Sequence, residues 1–384
     1  MRFSLLNPAA LATGALAARP FLSEPDTAIE DVLGDTPDGT LPDIEQMIGL
    51  PDFQWAARKY LPIENYTYYA NGAAGEWSMR NNLEAFYRYT WRPRQMTDIT
   101  GLSNTLNTTI LGFNFSAPFY ISPCARGVNA HEGGEINLVK GAAAGDILYI
   151  PSGYSSYTFD EIQAAKADGQ VVFQQMYLSG NITEDADYIQ QLEAAGADAL
   201  VLTIDSVAGS NRHRAERFGA GSANTEATRL TWAYYDELRR LTDLKIALKG
   251  VTSVETAKQS AEHGAPAIVV SNHGGRNLDG SPSPLEILLE INQEAPELLD
   301  KLEIWADGGV RYGGDVIKLL ALGAKAVGVG RPYMFANIYG VEGVERVTEI
   351  LKKEIIIDGG NLGLERLEDV DKSYVNWAPN HWLA

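Results

Sequence analysis

The sequence contains a single cysteine, Cys124, among 384 residues. One thiol cannot form an intrachain disulfide, and it excludes zinc sites built from paired Cys-x-x-Cys ligands. The five histidines form no His-Glu-x-x-His or comparable ligand set, which argues against metal-dependent hydrolysis. No predicted strand is followed by a Gly-x-Gly-x-x-Gly motif, so an NAD-dependent dehydrogenase is disfavoured as well.

Long apolar runs and an excess of positive charge are also missing. The hydrophobic stretches are broken by charge, Gly or Pro within about a dozen residues, which is too short to span a bilayer. With 31 basic and 50 acidic residues the net charge is -19, and nucleic acids and anionic membranes would be repelled. We therefore expect a soluble protein with no nucleic-acid or membrane partner, in which local cations or backbone donors hold any anionic ligand.

The N-terminus has the features of a leader. Arg2 precedes an apolar, Ala-rich stretch that ends in small residues, so residues 1–20 resemble a secretory signal peptide. Four tripeptides fit the N-glycosylation pattern and agree with secretion; they begin at Asn65, Asn107, Asn114 and Asn181. The alternatives are a disordered or amphipathic leader and a cytoplasmic protein.

Composition divides the rest of the chain into an arm and one domain. Residues 21–52 are rich in Pro, Asp, Gly and Thr without periodicity, which predicts a linker or surface arm. Helical patterns between 53 and 94, interrupted at Pro62, predict a small helical cap. At 45% hydrophobic residues the chain can bury one large core, and we interpret 53–384 as a single domain.

After Pro118 the sequence alternates between short apolar runs and longer amphipathic segments such as 183–195 and 254–263. This alternation is typical of βα units with a parallel sheet. Eight units predict the α/β class and a closed (β/α)8 TIM barrel, with the helical cap at its N-terminus. The predicted strands are 119–122, 148–151, 171–176, 199–204, 245–248, 267–271, 303–306 and 326–329.

Polar residues follow the sixth predicted strand, at the barrel edge where active sites lie. The segment 271–279 reads Ser-Asn-His-Gly-Gly-Arg-Asn-Leu-Asp. His273 is suited to proton abstraction near neutral pH, and Arg276 can hold a carboxylate by paired hydrogen bonds. A lone histidine more often has a structural role, but its position at a strand end beside an arginine favours catalysis.

The loops after the seventh and eighth strands predict a phosphate site. They read Asp-Gly-Gly-Val-Arg at 307–311 and Gly-Val-Gly-Arg at 328–331. Backbone N–H groups and an arginine in these two loops are the usual phosphate donors of such barrels. Either glycine pair alone could simply turn the chain, but both together favour a phosphorylated ligand.

Two further charges stand at strand ends. Lys249 follows the fifth strand, where a buried cation could stabilise negative charge on a reduced ring, although a solvated lysine is the alternative. Asp205 follows the fourth strand and could orient and stabilise His273, although it could also be a turn residue.

With these motifs the sequence resembles the FMN-dependent 2-hydroxy acid oxidase family, which includes glycolate oxidase, lactate oxidase and the flavin part of flavocytochrome b2. The segment 271–279 matches the family signature except for Asn277, where Gln is usual. Segments 68–73, 86–94, 121–125, 203–205 and 307–309 agree in the same order, so the resemblance extends from about residue 53 to the last helices.

The resemblance implies FMN as cofactor and assigns roles residue by residue. Catalysis would involve His273 as base, with Asp205, Tyr177 and Arg276. The substrate-binding residues would be Tyr68, Tyr154, Tyr177, Arg212, His273 and Arg276. The residues around the flavin ring would be Pro123, Cys124, Ala125, Ser152, Gln175, Thr203, Lys249 and Ser271. The residues around the ribityl phosphate would be Asp307, Gly309, Arg311, Gly330 and Arg331.

Some positions depart from the family pattern. Cys124 and Gly153 replace residues that usually contact the flavin, and Tyr154 matches the choice of lactate oxidase. Loop four, between 214 and 231, is shorter than in many relatives, which predicts a site more open to solvent or to large electron acceptors.

The expected activity is oxidation of a lactate- or glycolate-like L-2-hydroxy acid to the 2-oxo acid. Oxygen would then reoxidise FMN and form hydrogen peroxide, an outcome favoured because neither a haem domain nor a membrane anchor is visible. The alternatives are a dehydrogenase with a quinone or cytochrome acceptor, a lactate monooxygenase, a non-redox FMN or phosphate barrel, and a non-enzymatic binding protein. The resemblance also implies a homo-oligomer, a tetramer in many relatives.

Overall fold

The computed structural model describes residues 27–224 and 228–378. The predicted leader at 1–20 lies outside this part of the chain. The α-helices are α1 Ile29–Leu33, α2 Leu50–Tyr60, α3 Ile63–Tyr69, α4 Trp77–Arg88, α5 Gly134–Gly145, α6 Phe159–Ala164, α7 Ile182–Ala194, α8 His213–Arg217, α9 Trp232–Leu238, α10 Val254–Glu262, α11 Pro284–Glu294, α12 Leu298–Lys301, α13 Gly313–Ala321, α14 Arg331–Ala336 and α15 Gly340–Leu362. None of them is long and apolar enough to cross a membrane.

The strands form an antiparallel hairpin and an eight-stranded parallel sheet. The hairpin consists of β1 Thr108–Ile110 and β2 Phe113–Phe115. The parallel sheet consists of β3 Phe119–Ile121, β4 Leu148–Tyr149, β5 Gln174–Met176, β6 Leu200–Thr203, β7 Ile246–Val251, β8 Ala267–Val270, β9 Glu303–Asp307 and β10 Ala326–Val329. Its order is β4-β3-β10-β9-β8-β7-β6-β5, the sequential order of a barrel.

The sheet closes on itself between its two edge strands. Tyr149 forms an isolated parallel bridge with Val172. The Phe173 N–H donates to the Tyr149 carbonyl at 3.3 Å, and the Gln175 N–H donates to the Pro151 carbonyl at 3.0 Å. These bonds join β4 to the chain that enters β5, and they confirm the predicted TIM barrel.

Two hydrophobic layers account for the barrel. Within β6, Leu200 and Leu202 point to the surrounding helices, while Val201 points into the barrel, as the two-residue period of a strand requires. Trp305 and Phe173 stack inside the barrel with ring centroids 6.2 Å apart. Because both faces of each strand are buried, the strands read as continuous apolar runs rather than as alternating ones.

All eight predicted strands exist, but some bounds differ. In the predicted strand 171–176, only Val172 among the first three residues forms a bridge, and β5 begins at Gln174. The predicted strand 245–248 is in fact Ile246–Val251, so Lys249 lies inside β7 rather than after it. The strand continues because Lys249 pairs with Thr203, and a register shift at Gly250, with φ of +107°, bends it there.

The described part of the predicted arm, residues 27–52, is more ordered than its composition predicts. It contains α1, a 3-10 helix at Ile44–Gln46 and the first turn of α2. The buried carboxylate of Asp52 accepts the N–H groups of Ile48 and Gly49, each at 2.9 Å, and thereby caps α2. The helical cap therefore begins at Leu50 rather than at 53.

The hairpin was not predicted from the sequence. It covers the barrel end opposite the loops that follow the strands, and Phe113 packs on Phe173 with ring centroids 5.8 Å apart. The Leu111 N–H donates to Glu303, and Lys245 donates to the Leu111 carbonyl at 2.9 Å. With this end closed, the accessible part of the barrel is its carboxyl-terminal edge.

Candidate active site

A pocket that is partly open to solvent lies at the carboxyl-terminal edge of the barrel. Parallel strands bring their ends together there, as in the pairings of Val329 with Ile121 and of Gly328 with Asp307. The pocket brings together predicted residues from four loops and adds Tyr69 and Ser122. Its predicted lining residues are Pro123, Cys124, Lys249, His273, Arg276, Asp307, Gly309, Arg311, Gly330 and Arg331.

His273 and Asp205 form a hydrogen-bonded pair at the carboxyl-terminal edge of the barrel. His273 Nδ1 lies 2.9 Å from Asp205 Oδ1, and the two side chains are only 11% and 9% exposed. The His273 N–H donates to Ser271 Oγ, and the backbone has a φ of 60°, which is uncommon for a residue other than glycine. The bond to the carboxylate places the proton on Nδ1 of the neutral ring, so Nε2 is free to accept a proton.

Electrostatics keep the imidazole neutral. Burial lowers the pKa of His273 to about 4; Asp205 opposes this shift, while Lys249 and Arg276 add to it. For Asp205, burial acts to raise the pKa, but the contacts with His273 and the charge of Lys249 hold it below its usual value. A neutral base beside an ionised carboxylate is therefore the resting state near neutral pH.

Two predicted carboxylate-binding arginines lie next to this pair. Arg276 Nε donates to the His273 carbonyl at 3.2 Å. Arg212 is buried; its Nε donates to Ser210 Oγ at 2.7 Å and to the Arg276 carbonyl, and its Nη2 donates to Asn277 Oδ1. Burial, with repulsion from Arg276, lowers the pKa of Arg212 to about 10, so it remains cationic at neutral pH.

Asn277, which departs from the family signature, connects the two halves of this arrangement. Its carbonyl oxygen accepts from Arg212 at 3.1 Å, and its Nδ2 donates to the Asp205 carbonyl at 2.9 Å. Asn277, whose side chain is shorter than that of glutamine, thus links Arg212 to the backbone of Asp205.

Three predicted tyrosines lie around the substrate side. Burial raises the pKa of Tyr68, although Arg276, Arg126 and Arg212 oppose the shift. Burial also raises the pKa of Tyr177, as does the charge of Asp205. The Tyr177 ring lies 5.0 Å from that of Tyr154, which is 39% exposed at the rim. Tyr68 and Tyr177 are therefore protonated and able to donate hydrogen bonds.

The predicted ring-contacting residues form a connected polar wall. Gln175 Oε1 accepts from Ser152 Oγ at 3.2 Å and from the Gly153 N–H at 2.9 Å, while its Nε2 donates to Thr203 Oγ1 at 2.9 Å. At Gly153 a Cβ atom would lie 3.2 Å from the Gln175 carbonyl, so glycine suits this tight approach. Cys124 lines the pocket as a neutral thiol, because burial raises its pKa.

Lys249 contacts both sides of the predicted ring site. Its Nζ donates to Ser271 Oγ at 3.1 Å and lies 3.3 Å from Asp307 Oδ2. Ser122 Oγ also donates to Asp307 Oδ2, at 3.4 Å. Asp307, predicted among the phosphate-holding residues, is thus tied to the lysine in this structure.

The phosphate side contains a cluster of buried positive charge. Arg311 Nη1 donates to the Val310 carbonyl at 2.9 Å. Arg331 donates through Nε to the Tyr69 carbonyl at 2.9 Å, and through Nη2 to the carbonyls of Asn71 and Gly274. Burial lowers the pKa of Arg331 to about 9, and its like-charged neighbours Arg276 and Arg311 add to the shift. An anion would relieve this repulsion.

The sequence interpretation missed the contact between the cap and loop six. Buried Asn82 of α4 exchanges two hydrogen bonds with Asn272, at 2.8 and 2.7 Å. The Ala73 N–H donates to the Gly275 carbonyl, and the Ser78 N–H donates to Asp279. The available signal was the spacing of Ser78, Asn81 and Asn82, which gives α4 a buried polar face.

Comparison with known proteins identifies the family. A family model described as FMN-dependent dehydrogenase matches residues 57–228 and 219–377. The cytochrome-type L-lactate dehydrogenase of Wickerhamomyces anomalus is 35% identical over 355 residues, covering 86% of this chain and 61% of that protein. A peroxisomal (S)-2-hydroxyacid oxidase of Arabidopsis thaliana is 34% identical over 360 residues, covering 86% of this chain and 97% of that protein.

Solved structures agree with this result. A flavocytochrome b2 mutant with pyruvate bound aligns with a TM-score of 0.83 at 32% identity, covering 91% of this chain and 92% of that chain. Mandelate oxidase with (S)-2-phenylpropionate aligns with a TM-score of 0.78 at 34% identity, covering 86% and 98%. The chain belongs to the FMN-dependent dehydrogenase family, a class of α/β-barrel flavoproteins. It spans 61% of the length of the yeast cytochrome-type lactate dehydrogenases that it matches.

The pocket fits the cofactor of this family. FMN combines a phosphate with a flat, polar-edged ring, and the described residues supply an arginine cluster that includes buried Arg311, glycines at 308, 309, 328 and 330, and the buried Lys249. A Cβ atom at Gly309 would lie 2.1 Å from the Asn82 carbonyl, which shows how closely the backbone is packed there. The predicted FMN cofactor is confirmed by membership of the family.

Proposed function

We propose that this protein oxidises an L-2-hydroxy acid to the 2-oxo acid and passes the electrons to oxygen, which forms hydrogen peroxide. The observation that supports it most is the neutral, carboxylate-paired His273 in one pocket with Arg276 and Lys249. Such a base beside carboxylate-binding guanidinium groups fits proton abstraction from a hydroxy acid.

The residues divide the work between binding and proton transfer. Arg276, Arg212 and the Tyr68 hydroxyl bind the substrate carboxylate, and Tyr177 donates to the C2 hydroxyl oxygen. His273 Nε2 takes up the proton that the substrate loses. Asp205 is ionised and lies 2.9 Å from Nδ1, so it stabilises the imidazolium that results.

The cofactor and the charges beside it complete the reaction. When bound, FMN supplies the two-electron acceptor for the C2 hydrogen. Lys249 keeps a buried positive charge at the ring wall, and Arg311 and Arg331 do so at the phosphate end. The polar wall of Gln175, Ser152 and Thr203 would hold the ring edge of FMN by hydrogen bonds.

The descriptions of several relatives support oxygen as the acceptor, because they include a peroxisomal (S)-2-hydroxyacid oxidase of Arabidopsis thaliana and a glycolate oxidase of Spinacia oleracea. A dehydrogenase with a quinone or cytochrome acceptor is the second candidate, because two yeast relatives are described as cytochrome-type L-lactate dehydrogenases. A shortened loop four, part of which lies outside the described residues, would favour such bulky acceptors.

Stopped-flow spectroscopy separates these outcomes. The flavin is reduced anaerobically with glycolate, L-lactate and longer aliphatic and aromatic L-2-hydroxy acids, and then mixed with oxygen, a quinone dye or cytochrome c. We expect reduction by at least one acid, reoxidation by oxygen and one peroxide per 2-oxo acid. Faster reoxidation by the dye would indicate the dehydrogenase, a decarboxylated product a monooxygenase, and absence of reduction by every acid would contradict the proposed function.

A further inference from the structure

Arg126 places a third guanidinium group beside the substrate side of the pocket. Its Cζ lies 4.8 Å from the centroid of the Tyr68 ring, and its Nη1 donates to the Ala220 carbonyl at 3.0 Å. Its backbone N–H donates to the carbonyl of Tyr154, and its own carbonyl accepts from Tyr69 at 2.6 Å. The Arg126 side chain thus lies at the rim, between the tyrosine predicted to bind the carboxylate and loop four.

The local backbone fixes this position at some conformational cost. Arg126 has a φ of 58°, a left-handed conformation that long side chains rarely adopt. The fully buried carboxylate of Glu135 holds the segment by accepting the N–H groups of Gly127 at 2.7 Å and Ser156 at 2.9 Å. Residues kept in such conformations by their surroundings cluster at ligand-binding sites.

Among the residues that the structure describes, no carboxylate pairs with the charge of Arg126. Within the described ranges 27–224 and 228–378 it forms no ion pair, whereas Arg214 pairs with Glu76. Arg276, Arg126 and Arg212 all act on Tyr68 electrostatically. One carboxylate is satisfied by Tyr68, Arg212 and Arg276, so Arg126 is an additional positive charge in a chain of net charge -19.

We propose that Arg126 binds a second carboxylate at the far end of the substrate, so that the preferred substrates are L-2-hydroxydicarboxylic acids of four or five carbons. This inference rests on the proposed function. Arg126 lies on the far side of Tyr68 from the His273 pocket and next to Tyr154 at the rim, so we infer that the distal end of a substrate anchored near His273 points toward it. A planar guanidinium group pairs with a carboxylate through two hydrogen bonds and rejects an uncharged methyl end in its place.

Matched pairs of acids test the proposal. L-malate is compared with L-2-hydroxybutyrate, and L-2-hydroxyglutarate with L-2-hydroxypentanoate, by anaerobic flavin reduction and steady-state kinetics. We expect kcat/KM for each dicarboxylate to exceed that of its monocarboxylate by about ten-fold or more. Arg126→Gln should lower this ratio by about ten-fold or more, and Arg126→Lys should retain part of it.

Two further measurements complete the design. Arg217→Gln removes an exposed guanidinium group from α8, outside the pocket lining, and should leave the ratio unchanged. Oxaloacetate titrated against the flavin spectrum should bind about ten-fold more weakly to Arg126→Gln than to the unmodified protein, while pyruvate should show a smaller change. The FMN content of each variant shows whether it has folded.

The outcomes are distinct. Preference for aliphatic or aromatic monocarboxylates, or an unchanged ratio in Arg126→Gln, would overturn the role of Arg126 while leaving the proposed function in place. If Arg126→Gln fails to retain FMN, the ratio in the unmodified protein and in Arg126→Lys decides the question. Failure of every acid to reduce the flavin would instead overturn the proposed function itself.

Discussion

At the scale of single residues, His273 is the group on which the proposed chemistry depends. Replacing it with Gln removes the proton acceptor but keeps a polar side chain of similar size, so flavin reduction should slow by about 10²–10⁴-fold. FMN should be retained, since the arginine cluster and the glycine loops are untouched. Anaerobic stopped-flow reduction measures the rate, and the flavin spectrum measures occupancy.

A second histidine supplies the control for this substitution. His263 pairs with Asp236 at 2.9 Å and stacks on Trp232, away from the pocket lining. His263→Gln should reduce flavin at the unmodified rate. A His273→Gln rate within three-fold of the unmodified protein would contradict the assignment of the base.

The pH dependence follows from the same residue. Only the neutral imidazole accepts a proton, and burial lowers the pKa of His273 to about 4. kcat/KM should therefore stay nearly constant from pH 8 down to about 5 and fall as the pH drops through about 4. Brief pH-jump stopped-flow measurements would test this, and an acid limb near the ordinary histidine value of 6.5 would contradict it.

At the scale of elements, the loop after β9 depends on a glycine that touches the cap. Gly309 has a φ of +85°, and a Cβ atom there would lie 2.1 Å from the Asn82 carbonyl. Gly309→Ala should displace α4 or the phosphate loop and weaken FMN binding by about ten-fold or more. Fluorescence titration of the apoprotein with FMN measures the change.

Gly196 provides the matched comparison. It has a φ of +90° after α7, but a Cβ atom there would meet nothing within 4 Å. Gly196→Ala thus carries the same left-handed conformation, at a cost of roughly 1–2 kcal/mol, without the collision. Equal FMN affinity in the two variants would show that the contact between α4 and the loop does not matter for the cofactor.

The elements also show what sequence reasoning can and cannot predict. The eight barrel strands could be predicted because apolar runs recur between amphipathic segments, and the strand-end motifs indicated the edge of the barrel where the pocket lined by His273 and Arg276 lies. The hairpin was missed because each of its strands has three residues, too few for a visible period. The Asn82–Asn272 contact was missed because a polar helix face usually indicates solvent.

At the scale of the whole molecule, two carboxylates hold the start of α13 beneath the phosphate loop, and one of them, Glu354, connects it to α15. Glu354 accepts the Gly313 N–H at 2.7 Å, and burial raises its pKa from 4.5 to about 7. Asp315 accepts the N–H groups of Arg311 and Tyr312, and burial raises its pKa from 3.8 to about 6. Because these folded-state pKa values exceed the ordinary ones, the stability that the two carboxyl groups contribute is fully present below their ordinary values of 3.8 and 4.5 and is lost progressively as the pH rises to the folded-state values of about 6 and 7.

This linkage predicts a stabilising substitution. Glu354→Gln keeps an acceptor for the Gly313 N–H without the buried charge, so Tm at pH 8 should rise by roughly 1–2 °C and change little at pH 5. Glu349→Gln, at an exposed position of the same helix, should have no such pH-dependent effect. Differential scanning calorimetry between pH 5 and pH 8 measures Tm for both variants. A lower Tm for Glu354→Gln than for the unmodified protein at pH 8 would contradict the linkage.

Several whole-molecule expectations stay predictions. The tetramer implied by the family resemblance would be tested by light scattering of the purified protein. The secretory leader at 1–20 and the domain limits at 21–52 and 53–384 would be tested by N-terminal sequencing and limited proteolysis of the mature protein.

The barrel wall is least continuous where Tyr149 meets Val172 through one isolated bridge, whereas β6, β7 and β8 share longer ladders. A junction with so few backbone hydrogen bonds should open transiently before the longer ladders do, and amide deuterium uptake at 171–173 should be faster than that of β8. Tyr154 lies a few residues after Tyr149 along the chain. Transient opening of the wall would therefore move the rim beside Tyr154, and substrate could enter there without any movement of the barrel's other strands.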